Sequence, residues 1–240
     1  MLGYSAEAVR DAERRLIEAG EPLMERAAAG LALQVRRHLP RANFLARTVL
    51  VLVGSGDNGG DALFAAADVA RSGAGVRFVR LGRHIHEAGL AAALEAGVTE
   101  ISAEEAPDAA RTSHVIVDGI LGTGSTASPA LRHPARTVVA AIIEVLREKP
   151  NTEPGSPHGR PPVVIAADLP SGIHPDTGAV PDPTVLHADM TVTFGVAKAG
   201  LLLSPGRELA GEIVVVDIGL AEALGDAVPL ARAGDDGAGA

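Results

Sequence analysis

The chain has 240 residues, no cysteine and a formal net charge of −9. This length suits one large α/β domain, or two small ones, and hydrophobic residues make up 47% of it. The charge argues against nonspecific nucleic-acid binding, and the apolar runs fall short of the roughly 20 residues of a membrane-spanning helix. Because cysteine is absent and the first residues are charged and amphipathic, we expect neither a disulfide nor a signal segment. We predict a cytoplasmic protein that binds neither nucleic acid nor a membrane.

Helix-like and strand-like segments alternate along the chain. Two amphipathic helices are predicted first, one after Ser5 and one from Pro22. Strands are then predicted at 48–53, 75–81, 98–101, 113–117, 163–167, 189–194 and 213–217, with helices at 59–72, 86–96 and 135–148. Nearly continuous apolar strands separated by helices indicate an α/β fold, with a mostly parallel sheet covered on both faces. We also predict a proline-rich surface loop at 149–162 and a disordered tail or linker at 221–240.

Four of these strands run into loops that combine glycine with a polar side chain. The loops begin at Gly54, Asp118, Asp168 and Gly195. Ligands of open parallel sheets bind beyond the carboxyl ends of the strands, so these loops should meet at one site. A structural carboxylate or a local turn would explain any one of them. Their convergence predicts a ligand site.

The first loop, GSGDNGGD at 54–61, has the G-x-G-x-x-G spacing of dinucleotide-binding loops. Asp57 would repel a pyrophosphate, and no acidic residue follows the next strand to bind a ribose. Asp61 is expected in the first turn of the helix, where the dipole favours a carboxylate. Asn58 and Asp118 offer the oxygen ligands that suit a cation. We therefore predict contacts with ligand hydroxyls and a cation rather than with the diphosphate of an ordinary redox cofactor.

Five motifs then occur in a defined order along the chain. They are GSGDNGGDAL, DGILGTG, ADLPSGIHPDTG, TFGVAKAGL and VVVDIGL. Together they resemble the YjeF N-terminal domain family, the NAD(P)HX epimerases. The resemblance implies a Rossmann-like three-layer α/β/α sandwich at 1–220. It also implies epimerisation of the R and S forms of NADHX and NADPHX, in which the reduced nicotinamide ring has been hydrated.

The resemblance also implies site residues. Those that would bind the substrate are Asp57, Asn58, Gly59, Gly60, Asp61, Gly122, Thr123, Gly124, Ser125, Thr126, Ala127, Ser128 and Asp168. Those that would bind a potassium ion as cofactor are Asn58, Asp118 and Ser171. Two features depart from the family pattern. Asp57 stands where the family commonly has Asn, and the segment after Gly124 is longer than usual.

The implied reaction needs a carboxyl group that holds or releases a proton. Protonation of the ring hydroxyl lets water leave as the nitrogen lone pair forms an iminium, and water then returns to either face. We predict that Asp168 serves as this general acid and base, because it lies at a strand end before the rigid turn 170–172. A local turn hydrogen bond is the alternative role for Asp168.

The sequence does not show which basic residues contact the ligand. Lys198 either contacts the ligand or lies in a solvated loop. The candidates for phosphate contacts are Arg80, Arg83, Arg132 and Arg207.

Two other functional classes stay open. A dinucleotide-dependent oxidoreductase or methyltransferase would explain the glycine spacing, although the missing ribose-binding acid counts against it. A non-catalytic scaffold that binds an ADP-ribose-like nucleotide would bind ligand without turnover. For the epimerase, the expected partners are NADHX or NADPHX and a fused or separate NAD(P)HX dehydratase, and a homodimer also stays open.

Overall fold

The computed structural model describes residues 1–40, 47–147 and 160–234. Strands in these ranges are β1 (Leu2–Tyr4), β2 (Thr48–Val53), β3 (Gly75–Arg80), β4 (Thr99–Ile101), β5 (Val115–Gly119), β6 (Val163–Ala167), β7 (Met190–Phe194), β8 (Ala197–Lys198), β9 (Glu212–Val216) and β10 (Ala231–Arg232). Helices are α1 (Ala6–Glu18), α2 (Leu23–His38), α3 (Asp57–Arg71), α4 (Glu87–Glu95), α5 (Ala106–Arg111), α6 (Ala135–Arg147), α7 (Gly206–Ala210) and α8 (Leu220–Ala223). Most of the predicted proline-rich loop lies outside the described residues.

A seven-stranded sheet in the order β4-β3-β2-β5-β6-β7-β9 forms the centre of the fold, and all of its strand pairs are parallel. The chain moves outward from β2 to β4, then returns to β5 on the other side of β2 and continues to β9. The order therefore reverses between β2 and β5, where an open α/β sheet leaves a crevice for a ligand. The predicted parallel α/β sheet is confirmed.

Strand β2 shows why the sheet strands are apolar along their whole length. Val49, Val51 and Val53 pack into one cluster together with side chains of α1 to α4. Leu50 and Leu52 point to the other face and pack with α5 and α6. Because helices cover both faces, every position of the strand is removed from water. This produces the predicted three layers.

The structure corrects two expectations about element boundaries. Helix α3 begins at Asp57, with Gly56 as its N-cap, so Asp61 lies one turn into the helix and not in its first turn. The expected tail or linker from 221 is wrong for residues 221–234. Leu224 is buried in the main core, and β10 pairs with β1 in a small second sheet, β10-β1-β8. These long-range contacts order a segment whose glycine and charge content resembles a linker.

None of the helices in the described ranges is long and apolar enough to cross a membrane.

Candidate active site

A cavity of about 750 Å³ opens where the order of the strands reverses. Its walls come from the loops that follow β2 and β5, from Asp168 after β6 and from Phe194 at the end of β7. Helix α1 adds Arg10 and Glu13. The volume lies in the range of about 300–1,000 Å³ that is usual for small-molecule sites. The predicted convergence of the strand ends is therefore observed.

Most of the predicted substrate residues line this cavity. They are Asp57, Asn58, Asp61, Gly122, Thr123, Gly124, Ser125, Ala127, Ser128 and Asp168. Gly59, Gly60 and Thr126 are not among the lining residues. A Cβ atom added to Gly59 would stand 2.4 Å from the carbonyl oxygen of Gly54, and one added to Gly60 would stand 2.9 Å from the His86 ring. These two glycines therefore allow close packing behind the cavity wall.

The loops on the two sides of the crevice touch through their backbones. A Cβ atom at Gly54 would lie 1.8 Å from the carbonyl oxygen of Ile120, so only glycine fits there without a shift of the backbone. This close approach brings the start of α3 beside the loop after β5. The glycine spacing noted in the sequence thus joins two strand ends at the crevice.

Asp168 has an unusual backbone conformation. It is the one residue other than glycine with a positive φ, +67°, among the described residues. The amide of Leu169 donates across it to the carbonyl oxygen of Ala167 at 2.8 Å, which is the three-residue pattern of a γ-turn. A positive φ at the centre of such a turn is the rarer and more strained form. Strain of this kind is characteristic of functional positions.

The side chain of Asp168 bonds away from its own turn. Its Oδ1 atom accepts hydrogen bonds from the ammonium of Lys198, from Thr193 Oγ1 at 3.2 Å and from the amide of Phe194 at 3.3 Å. No bond to its Oδ2 atom is found among the described residues, and Asp168 lines the cavity. The alternative of a local turn hydrogen bond is therefore wrong, and one carboxylate oxygen is left for a ligand.

Lys198 lies beneath Asp168 and has no exposed surface, 0%. Its ammonium also donates to the carbonyl oxygen of Phe194 at 3.0 Å and to Thr193 Oγ1 at 3.2 Å. The expectation of a solvated loop position is wrong. A buried ammonium requires a paired negative charge, which the carboxylate of Asp168 supplies.

Glu13, a residue that the sequence analysis missed, faces this ion pair from α1. Burial raises the pKa of Glu13 to about 6; Lys198 opposes this rise, and the negative charge of Asp168 adds to it. On the same helix, the guanidinium of Arg10 donates to the carbonyl oxygen of Thr123 at 2.7 Å and ties α1 to the loop after β5. The available signal was the spacing of Arg10 and Glu13, which places both on one helix face.

Asp61 supplies a further carboxyl group to the cavity. It is 8% exposed, and no hydrogen bond or ion pair of its side chain is found within the described ranges. Burial raises the pKa of Asp61 well above its usual range, and the negative charges of Asp168, Asp57 and Glu13 add to this effect. Lys198 acts in the opposite direction.

The residues expected to bind a cation are linked by hydrogen bonds through Leu121, in the loop after β5. Asp118 is 1% exposed and accepts hydrogen bonds from the amide of Ser171 at 2.9 Å, from Ser171 Oγ at 2.7 Å and from the amide of Ile120 at 3.3 Å. Burial raises the pKa of Asp118, and these hydrogen bonds oppose the rise. Asn58 Nδ2 donates to the carbonyl oxygen of Leu121 at 3.0 Å, but the buried Oδ1 atom of Asn58 has no partner within the described residues.

Of the four arginines expected near phosphate groups, two line the cavity and two lie elsewhere. Arg83 and Arg132 line the cavity. Arg80 instead forms an ion pair with Glu100 at 3.0 Å. Arg207 lies at a separate cavity of about 350 Å³.

These features define an α/β protein with a Rossmann-like parallel sheet. Its ligand site is acidic and contains Asp168 paired with the buried Lys198. A family model described as YjeF-related protein N-terminus matches residues 20–200. The chain belongs to this family, as the motifs predicted. It is 52% identical over 236 residues to the NAD(P)H-hydrate epimerase of Clavibacter michiganensis, an alignment that covers 96% of this chain and 95% of that protein.

Two further comparisons concern length and fold. The chain is 38% identical over 228 residues to the bifunctional NAD(P)H-hydrate repair enzyme Nnr of Mycobacterium leprae; this covers 90% of the chain but 41% of that longer protein. The crystal structure of yeast YNL200c matches with a TM-score of 0.67 at 21% identity over 83% of each chain. This likeness supports the Rossmann-like fold. The family match begins after α1, so the helix that carries Glu13 lies outside the matched residues.

Proposed function

We propose that this protein is an isomerase that interconverts the R and S forms of hydrated NADH and NADPH. Membership of the family and the name of the Clavibacter relative support the proposal. The observation that carries it is Asp168, a residue with a strained backbone whose side chain lines the cavity where the strand order reverses. Loss of water from the hydrated ring forms an iminium cation. A carboxylate fixed in a buried site stabilises such a developing positive charge.

The cavity offers different chemistry at its buried and at its exposed residues. Asp168 is buried, whereas Arg83 and Arg132 are exposed, and all three line the cavity. Guanidinium groups are suited to bind phosphate oxygens. We therefore propose that the hydrated nicotinamide ring binds near Asp168 and the diphosphate near the two arginines. All of residues 122–128 except Thr126 line the same cavity, which supports the predicted substrate contacts there.

We further propose that Asn58, Asp118 and Ser171 bind a potassium ion. The support is chemical, because Asn58 Oδ1 is a buried acceptor without a donor and Asp118 has no ion pair among the described residues. A monovalent cation would satisfy the amide oxygen and balance the buried carboxylate. When bound, it would supply positive charge that holds together the loops after β2, β5 and β6.

A coupled assay tests the epimerase activity directly. Purified protein is mixed with R-NADHX and a dehydratase that consumes S-NADHX alone, and the loss of the R form is followed. We expect accelerated loss with the wild-type protein and with Glu95→Gln, which removes an exposed carboxylate at the end of α4. Ligand binding without turnover would instead indicate the ADP-ribose-binding scaffold. Oxidation or reduction of a cofactor would indicate the oxidoreductase.

The partners and the location belong to the same proposal. The bifunctional relative from Mycobacterium leprae supports an NAD(P)HX dehydratase as a fused or separate partner. Because the proposed substrates arise from NADH and NADPH, we propose that the protein acts in the cytoplasm. The homodimer stays a prediction, which sedimentation of the purified protein would test.

A further inference from the structure

Asp168 and Asp61 line the same cavity but have unequal partners. The Oδ1 atom of Asp168 accepts from Lys198, Thr193 and Phe194. Asp61 is 8% exposed and has neither a donor nor a counter-ion among the described residues. The two carboxyl groups therefore occupy opposite electrostatic environments within one site.

These environments suit the two groups to different roles. The carboxylate of Asp168 forms an ion pair with the buried ammonium of Lys198, so it is suited to stabilise a cation. A buried carboxyl group without a hydrogen-bond donor is favoured as the neutral acid, because ionisation would leave an uncompensated charge. Pairs of acids whose environments diverge in this way commonly divide the acid and base roles.

We infer that Asp61 is the acid that protonates the leaving hydroxyl, while Asp168, positioned by Lys198, remains a carboxylate and stabilises the iminium. This inference rests on the proposed epimerase function. The proton of Asp61 passes to the hydroxyl oxygen on the carbon next to the ring nitrogen. The carbon–oxygen bond breaks, water leaves and the nitrogen lone pair forms the iminium. A water molecule then adds to either face and returns a proton to Asp61, so no oxidant or reductant is needed.

The charged groups around Asp61 come from several elements. Asp57 lies one turn earlier on α3, Glu13 faces it from α1, and Asp168 with Lys198 faces it from the ends of β6 and β8. The three carboxyl groups raise the pKa of Asp61 in addition to burial, and Lys198 lowers it. Conversion of Asp168 to asparagine would therefore remove one negative charge and lower the pKa of Asp61.

The test compares the pH dependence of kcat/KM in the wild type, Asp61→Asn, Asp168→Asn and Glu95→Gln. We expect Asp61→Asn to reduce kcat/KM by about 10²-fold or more and to abolish the loss of rate at high pH that reports its ionisation. Asp168→Asn should also have a low kcat/KM. Its kcat/KM should still fall at high pH, but this fall should begin at a lower pH than in the wild type. Glu95→Gln should match the wild type.

Three results would overturn the inference. The first is a near-wild-type rate and pH profile in folded Asp61→Asn. The second is a rate that no longer falls at high pH in Asp168→Asn but still falls in Asp61→Asn. The third is a rate that no longer falls at high pH in Glu13→Gln but still falls in Asp61→Asn, which would make Glu13 the acid.

A titration without substrate separates this inference from the proposed function. The carboxyl carbons of aspartate are followed by ¹³C NMR, and Asp61 is assigned as the signal missing from Asp61→Asn. A protonated Asp61 together with an ionised Asp168 at neutral pH supports the charge assignment even if the wild type shows no epimerisation. The reverse assignment refutes it, whatever the activity.

Discussion

Replacement of Glu13 by glutamine should stabilise the folded protein at neutral pH. Glu13 faces the Asp168–Lys198 ion pair, and burial raises its pKa from 4.5 to about 6. In the unfolded chain the carboxyl group ionises at its ordinary pKa, so the unfolded state loses its proton first as the pH rises. The stability contributed by the neutral form is therefore present below about pH 4.5 and is lost as the pH rises to about 6. Glutamine keeps the shape of the side chain without this loss.

The size of the effect follows from the shift in pKa. A change from 4.5 to about 6 is 1.5 pH units, and each unit corresponds to about 1.4 kcal/mol. Glu13→Gln should thus gain up to about 2 kcal/mol relative to the wild type between pH 4.5 and pH 7. For a protein of this size, that is a rise in Tm of about 4–8 °C.

Urea unfolding followed by circular dichroism at pH 5 and pH 7.5 would measure the difference. Glu18→Gln is the matched control, because it makes the same change at the exposed end of the same helix. This control should stay within about 0.5 kcal/mol of the wild type at both values of pH. A Glu13→Gln variant that is less stable than the wild type at pH 7.5, or that gains equally at both pH values, would refute the reasoning.

Three further predictions concern the ion pair and the cation. Asp168→Asn should lower the free energy of unfolding, because it leaves the buried Lys198 unpaired. In variant protein that is folded by circular dichroism, the epimerisation rate in the coupled assay should fall by about 10²-fold or more, and wild-type turnover would exclude Asp168 from the reaction. Lys198→Met should lower the free energy of unfolding in urea by about 3–5 kcal/mol, because it leaves Asp168 unpaired, and the double variant with Asp168→Asn should recover part of this loss. Replacing potassium by tetramethylammonium should lower the Tm of the wild type and leave that of Asn58→Leu unchanged; a wild-type Tm indifferent to the cation would count against the potassium site.

The sequence predicted best those features that depend on local patterns. Nearly continuous apolar strands separated by helices identified a parallel sheet, and sheet geometry then placed Asp168, which follows β6, at the crevice. Lys198 could not be placed in this way. Its partner lies 30 residues earlier, and the pairing depends on the turn between β7 and β8. A lysine in an apolar segment gives no indication of which charge it will meet.

The wrong prediction for the residues after 220 and the failure to identify Glu13 have the same physical cause. The residues after 220 have the composition of a linker, yet β10 pairs with β1 at the opposite end of the chain. Glu13 belongs to an amphipathic helix whose sequence shows which face is buried, but not that one edge of the helix lies over the site. In both cases, the structure depends on contacts between the first residues and distant parts of the chain. The periodicity of a sequence does not predict such contacts.

In the proposed mechanism, helix α1 has a part in the chemistry as well as in the fold. It contributes Arg10 and Glu13 to the lining of the cavity, and the negative charge of Glu13 raises the pKa of Asp61. Arg10 donates a hydrogen bond to the carbonyl oxygen of Thr123 and so ties the helix to the loop after β5. A charge cluster of this kind costs stability at neutral pH, as Glu13→Gln should reveal, and it is retained where a reaction needs an acid at that pH. The same substitution should then lower the pKa of Asp61 and shift the high-pH loss of epimerase activity to lower pH, so one variant would be more stable and less active in alkaline solution.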